Sequence, residues 1–209
     1  MLRNQGASDR WTLKHIPWQL MVRFSRREVI EAVSVLVFDD ESTAQQVFEK
    51  ARTAIGLIAK HDPRRLARIH RHVSHILFNA YAGASYVYWM RICRIGIASA
   101  LRDEPVELAM SIVHESTHAR LWSLGFRYDD NATRERVERI CVRAEIDFAL
   151  KCADATAAVE RARRSFDTKW WLPEEIAKRR EEDLIALGVP RWMANRLARL
   201  RQRRSRGRL

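Results

Sequence analysis

Apolar residues recur at helical spacing over most of the chain, and one central stretch breaks that rhythm. DDESTAQQVFEKARTAIGLIAKH repeats apolar positions at Ala44, Val47, Phe48, Ala51, Ala54, Ile55 and Ile58, one face of a 3.6-residue period. SRREVIEAVSVLVF before it opens on an N-cap candidate, Ser25, so two helices are expected between residues 25 and 61. Asp62 and Pro63 reset the chain and open a short helix through Arg71. HILFNAYAGASYVYWMRICRIGI then turns β-branched and aromatic, with Gly83 where a hairpin turn would fall. This composition predicts two or three antiparallel strands.

Helical spacing returns after Asp103. Glu104 and Pro105 give an acidic, proline-led start, and Val106, Ala109, Met110, Val113 and Leu121 define a face that runs towards Gly125. The loop FRYDDNAT separates this helix from a second, from about Thr133 to Cys152, with Val137, Ile140, Cys141, Ala144, Phe148 and Ala149 inward. The pair should form an antiparallel hairpin. Further helices are expected over 153–166, from Pro173, and after Val189-Pro190. The expected class is therefore α+β, mainly helical, with a small antiparallel sheet ahead of the helical hairpin. Residues 1–24 read as an N-terminal arm, 25–188 as the body and 189–209 as a basic helix or tail. The arm carries Trp18, Leu20, Met21 and Phe24 and is expected to pack on the body, because Pro17 interrupts any membrane-surface helix.

Composition narrows the classes of function. With 47% hydrophobic and 31% charged residues in 209, the chain can bury one core, and nothing marks it as disordered or low-complexity. No secretion signal or spanning segment is visible. Cys93, Cys141 and Cys152 are odd in number and lack a CxxC spacing, so a soluble protein of a reducing, cytoplasmic compartment is expected. The net charge of +12 is unevenly placed: eight arginines and no acid fall between Arg191 and Leu209. That tail is a candidate for weak nucleic-acid binding, and LIALGVPRWMANRLARL has the helix, turn, helix outline that some DNA-binding units share. Phosphate-cradling glycine loops are missing from the sequence.

The candidate chemistry lies at His114-Glu115-Ser116-Thr117-His118. Histidines at i and i+4 share one helix face and can reach one Zn²⁺, while Glu115 can take a proton from a zinc-bound water and return it to a leaving amine. With 7 His and 15 Glu in the chain, chance supplies roughly 0.02 such matches, so the spacing is informative. Of the residues within and around the motif, Arg120 departs from the usual apolar preference. A catalytic zinc generally has three protein ligands, and the following helix offers Glu138 and Glu145. His118 lies six residues before the turn, and Glu138 lies six past the start of the partner helix. Glu138 is the preferred ligand, with Glu145 either the ligand itself or the partner of a histidine.

His114 to His118 followed by Glu138 resembles the HExxH zinc metallopeptidases, the zincins, in their glutamate-ligand branch, the gluzincins. The likeness runs from about Tyr86 to Ala149, and HESTHARL with VERICVRAEIDFA is also similar to small uncharacterised bacterial proteins with an HEaTHA-type helix. The resemblance implies zinc on His114, His118 and a downstream glutamate, Glu115 as general base, a peptide or protein substrate, and a sheet edge strand that holds the substrate backbone. Among other candidates, His61, His70, His72 and His75 lack ligand companions and read as ordinary polar histidines. Cys93 and Cys141 read as buried apolar residues, Trp170 and Trp171 as structural, and Tyr128 as a candidate oxyanion donor.

Overall fold

The computed structural model describes residues 16–196 apart from positions 82, 128–129, 154, 169–171, 173–174, 176–177, 179–180, 182–184 and 186–188. Tyr128, Trp170, Trp171 and the tail beyond Arg196 therefore lie outside the described residues. The chain is α+β and mostly helical. Its elements are α1 (Ile16–Phe24), β1 (Arg26–Ile30), β2 (Val33–Val37), α2 (Glu41–His61), α3 (Pro63–His72), β3 (His75–Asn79), β4 (Ala84–Val87), β5 (Ile92–Gly96), α4 (Ile97–Arg102), α5 (Pro105–Ser123), α6 (Asn131–Ala149) and α7 (Thr156–Asp167). Among the described residues, no helix is long and apolar enough to cross a membrane.

Two expectations about the sheet are corrected. The segment after Ser25 is a β-hairpin, with Arg26 paired to Val37 and Ile30 to Val33. Its turn residues Glu31 and Ala32 sit at φ 48° and 59°, the left-handed region that two-residue hairpins require, but without the glycine or asparagine that signals such a turn. The sheet is mixed rather than antiparallel, in the order β1-β2-β3-β5-β4. β2 runs parallel to β3 and β3 parallel to β5, while only the outer pairs are antiparallel. α2 and α3 form the crossover that parallel β2 and β3 need. Gly83, at φ 83°, turns the chain towards β4 on the far side of β5, and the actual hairpin turn lies between Val87 and Ile92, where Arg91 takes φ 56°.

Alternation along the strands sends Val35, Val37, Ile76, Phe78, Cys93 and Ile95 to one face, where α2 and α5 complete the main core. Leu36, Leu77 and Ile92 point the other way and are covered by Trp18, Met21 and Val22 of α1, with Val87 and Met90. The described part of the arm, α1, thus packs on the body, and Pro17 stands in the first turn of that helix, where it costs no hydrogen bond. Fully burying side chains such as Phe78 or Leu77 contributes about 1.5–3 kcal/mol each.

Local chemistry fixes the helices that carry the site. Pro105 opens α5, and the backbone N–H of Glu104 donates to Glu107 Oε2 at 3.0 Å. At its other end Gly125 (φ 91°) donates to Trp122 O and Phe126 N–H to Leu121 O. This pairing of C′ with C2 and of C″ with C3 stops the helix, and Phe126 packs near Leu121. Asp130 caps α6 by accepting from Thr133 N–H at 2.6 Å. These two signals set where α5 ends and where α6 begins. Gly96 fixes the other wall: a Cβ there would lie 2.1 Å from Tyr81 O, and its N–H donates to Gly83 O. The loop into β4 is thereby held on the sheet.

The left-handed pair at the hairpin costs about 1 kcal/mol or more against residues suited to it. Replacing Glu31-Ala32 with Asn-Gly should raise the thermal midpoint by about 2–4 °C, measured by calorimetry. An unchanged or lower midpoint would contradict this reading of the turn.

Candidate metal centre

Helix α5 is buried on nearly every side: His114, Glu115, Ser116 and His118 are enclosed together with Leu108, Ala109, Ile112, Val113 and Ala119. Ser116 and Thr117 donate to Val113 O, so their hydroxyls are satisfied within the helix. The two imidazoles, one turn apart, meet with His114 Nε2 and His118 Nε2 3.1 Å from each other. From α6, Glu138 Oε2 reaches in to 3.3 Å from His114 Nε2 and 3.5 Å from His118 Nε2. Glu145, two turns further along α6, stands on the other ring nitrogen, with Oε2 3.2 Å from His114 Nδ1. The structure thus brings His114, His118 and Glu138 to one point and places Glu145 behind His114.

Three Lewis-basic atoms separated by 3.1, 3.3 and 3.5 Å have the spacing of ligands around a tetrahedral ion. Bond lengths of 2.0–2.1 Å imply ligand separations of about 3.3–3.4 Å. Moreover, Glu138 Oε2 is buried without a well-directed hydrogen bond. His114 and His118 face it at 3.3 and 3.5 Å, longer than the roughly 2.7–2.9 Å of charge-assisted bonds. An enclosed carboxylate oxygen without a donor is costly, and a cation in its place would remove the deficit. Two imidazoles and a carboxylate so placed could hold a divalent metal ion.

Burial by itself favours neutral His114, but the charge of Glu145, the contacts with Glu138 and Glu145 and the charge of Glu115 outweigh it and hold His114 well above its ordinary value. Burial likewise pushes Glu138 up, yet His114 and His118 against its carboxylate bring it down to about 2. Glu115 is raised by burial, an effect that His118 and His114 oppose and Glu138 and Glu145 reinforce. That shift moves Glu115 towards the range where a carboxylate serves as a base near neutral pH.

A cleft of about 210 Å³ opens on Glu115, His118 and Glu138. Its walls are Ala84, Ser85 and Tyr86 of edge strand β4, Tyr88, Leu121, Trp122 and Phe126, with Arg127 and Arg134 at the side. Tyr88 stacks on Trp122 at 4.2 Å, and the Arg127 guanidinium lies 3.8 Å above the Trp122 ring. Neither the strand nor these aromatics were singled out as site residues from sequence, because sheet order decides which strand borders the helix.

Cys141 is the other residue that sequence reasoning left aside. Expected to be a buried apolar cysteine, it is fully enclosed, but Sγ and the ring nitrogens of His114 and His118 lie within 4.8 Å of one another. Its spacing of three residues from Glu138 was the available signal. Burial and then the neighbouring carboxylates Glu138, Glu115 and Glu145 push its thiol well up. The other histidines fall elsewhere: His70 Nε2 stands 2.8 Å from Glu31 O and His75 Nδ1 3.0 Å from Ser34 Oγ. Comparison with known proteins adds no relative. No family model, no curated protein and no solved structure matches the chain.

The two shifts set a stability window for the protein stripped of metal by a chelator. The raised His114 stabilises fully below its unfolded value of 6.5 and loses that contribution as pH rises through its folded value. The lowered Glu138 stabilises fully above 4.5 and loses its contribution as pH falls towards about 2. Denaturant midpoints of the stripped protein should therefore have their site-dependent part intact between pH 4.5 and 6.5 and falling on both sides. A His114→Ala, Glu138→Ala double variant should lack that part, and an identical pH profile for the double variant would contradict the assignment.

Proposed function

We propose that this chain is a zinc-dependent hydrolase of peptide or other amide bonds, similar in its working parts to the gluzincin branch of HExxH metallopeptidases. The observation that carries the reading is the convergence of His114 Nε2, His118 Nε2 and the undonated Glu138 Oε2 at mutual distances of 3.1–3.5 Å, beside a cleft that Glu115 lines.

His114, His118 and Glu138 are the three ligands. Glu145 accepts the proton on His114 Nδ1, fixing the tautomer that leaves the Nε2 lone pair facing His118 and Glu138. When bound there, zinc supplies a Lewis acid that polarises a carbonyl and lowers the pKa of water. Glu115 is the general base: its carboxylate takes a proton from the attacking water and hands it to the departing amine. Its burial supports both halves of that task, since a raised pKa lets it hold the proton between the two transfers. β4 presents the edge of the sheet along the cleft, where an extended substrate backbone can add as a further strand. Tyr86, Tyr88, Trp122 and Phe126 make the cleft suited to an apolar or aromatic side chain.

A second reading rests on Cys141. If its thiol joins the two histidines and Glu138, four protein ligands close the set and the metal only holds the α5–α6 hairpin together. The chain is then a basic protein whose Arg-rich tail, 191–209, acts on nucleic acid.

Elemental analysis after dialysis against a weak chelator separates these readings. About one zinc per chain is expected in the wild type, with loss in His114→Ala, His118→Ala and Glu138→Ala. Retention is expected in Cys141→Ala, and affinity lower by about 10–100-fold in Glu145→Ala. Glu115→Gln should keep its zinc and lose about 10²–10⁴-fold in the rate of cleaving a quenched-fluorescent peptide library. Zinc lost in Cys141→Ala would overturn the catalytic assignment.

A further inference from the structure

On the opposite side of α5 from the cleft lies a second concavity, of about 180 Å³, where α3, α5 and α6 meet. Arg65 and Arg68 line it from α3, Ser116, Thr117 and Arg120 from α5, and Ile140, Arg143, Ala144 and Asp147 from α6. Each set follows helical spacing: 65 and 68, then 116, 117 and 120, then 140, 143, 144 and 147. The walls are thus continuous helix faces converging on one space.

Four guanidiniums share this space with a single carboxylate. Among the described residues, Arg65 pairs with Asp62 through Nε at 2.9 Å. Among the described residues, Arg68, Arg120 and Arg143 form no ion pair and no side-chain hydrogen bond, and Asp147 pairs with none of them. Burial, then Arg120 and Arg65, push the Arg68 guanidinium downwards, a sign that these like charges act on one another. His72 is pushed down by its burial and by the same surroundings, Arg71, Arg91, Arg120 and Arg68. Three unpaired guanidiniums converging on a pocket oppose folding through mutual repulsion. They are also the donor set that a multiply charged oxyanion needs: planar forks, each able to give two parallel N–H···O bonds. Arg120, the one residue around the HESTH motif that departs from an apolar pattern, has its place here.

We infer that the concavity between α3, α5 and α6 is a binding site for a small phosphate-bearing molecule, held by Arg68, Arg120 and Arg143 with help from Arg65. Its volume and its three helical walls admit a phosphoryl group rather than the track of a polymer backbone. A dianion with several acceptor oxygens matches guanidiniums arriving from three directions better than a single carboxylate does. The assignment is independent of the proposed hydrolase activity, because it uses none of the residues in the cleft. Since α5 forms a wall of both, an occupant would sit directly behind the helix that carries His114 and His118.

Inorganic phosphate is the probe, titrated into the full-length, metal-loaded protein at constant ionic strength and followed by calorimetry and ³¹P line width. Saturable binding with about one phosphate per chain is expected. The exposed pair Arg68→Ala, Arg143→Ala should weaken it at least about 10-fold with zinc content unchanged. Neutralising the tail by Arg201→Gln, Arg203→Gln and Arg204→Gln should leave it unaltered. Absence of saturable binding, or equal binding by the Arg68→Ala, Arg143→Ala variant, would overturn the site. So would loss of binding in the tail variant, which would place the phosphate on the tail. A single-stranded oligonucleotide that displaces phosphate from the wild type, and whose own binding is lost in Arg68→Ala, Arg143→Ala, would reassign the concavity to a nucleic-acid backbone.

Discussion

Four ionisable side chains, His114, Glu115, His118 and Glu138, are enclosed between α5 and α6, with Glu145 at their rim. Removing such groups from water costs several kcal/mol each unless they neutralise one another or bind a cation. Every other feature of the fold bears on how that cost is met. α5 can be polar at its centre only because α2, α3, α6 and the sheet surround it and exclude water. α6 can deliver Glu138 to the histidines only because the Gly125 stop and the Asp130 cap fix its register. A shift of one residue along α6 would rotate the carboxylate by about 100° away from the imidazoles.

How much of this was legible in the chain depended on the range of the interaction. Helices α2, α3, α5, α6 and α7 are visible in the sequence because apolar spacing, Asp62-Pro63 and Glu104-Pro105 are local signals. The β1–β2 hairpin is not, since Glu31 and Ala32 occupy a left-handed turn without the residues that mark one, and Ser25 imitates a helix cap. Parallel pairing of β2, β3 and β5 joins residues separated by a helical crossover, and no local pattern records it. Gly83 is a turn residue in both readings, but the strand after it pairs with β5 and not with β3. Sheet order was hidden, and with it the identity of the strand that borders the cleft.

The site divides in the same way. His114 and His118 follow from a four-residue spacing, and counting outward from the turn puts Glu138 opposite them. Glu145 could be read from sequence as ligand or support, and the structure places it on His114 Nδ1. The proximity of Cys141 and the gathering of Arg65, Arg68, Arg120 and Arg143 arise from helices brought together by the whole fold. Residue type alone made the cysteine an apolar filler, and no local pattern in the sequence gathers the arginines. Three-dimensional packing gives α5 two distinct sides, one facing the cleft lined by Glu115 and the other facing a cationic hollow.

In the proposed site nitrogen and oxygen, not sulfur, would surround the metal. X-ray absorption at the zinc edge of the zinc-loaded full-length chain addresses it directly. A first shell of nitrogen and oxygen scatterers at about 2.0–2.2 Å, from His114, His118 and Glu138 with water in the remaining position, is the predicted result. A sulfur contribution at about 2.3 Å that disappears in Cys141→Ala would contradict it.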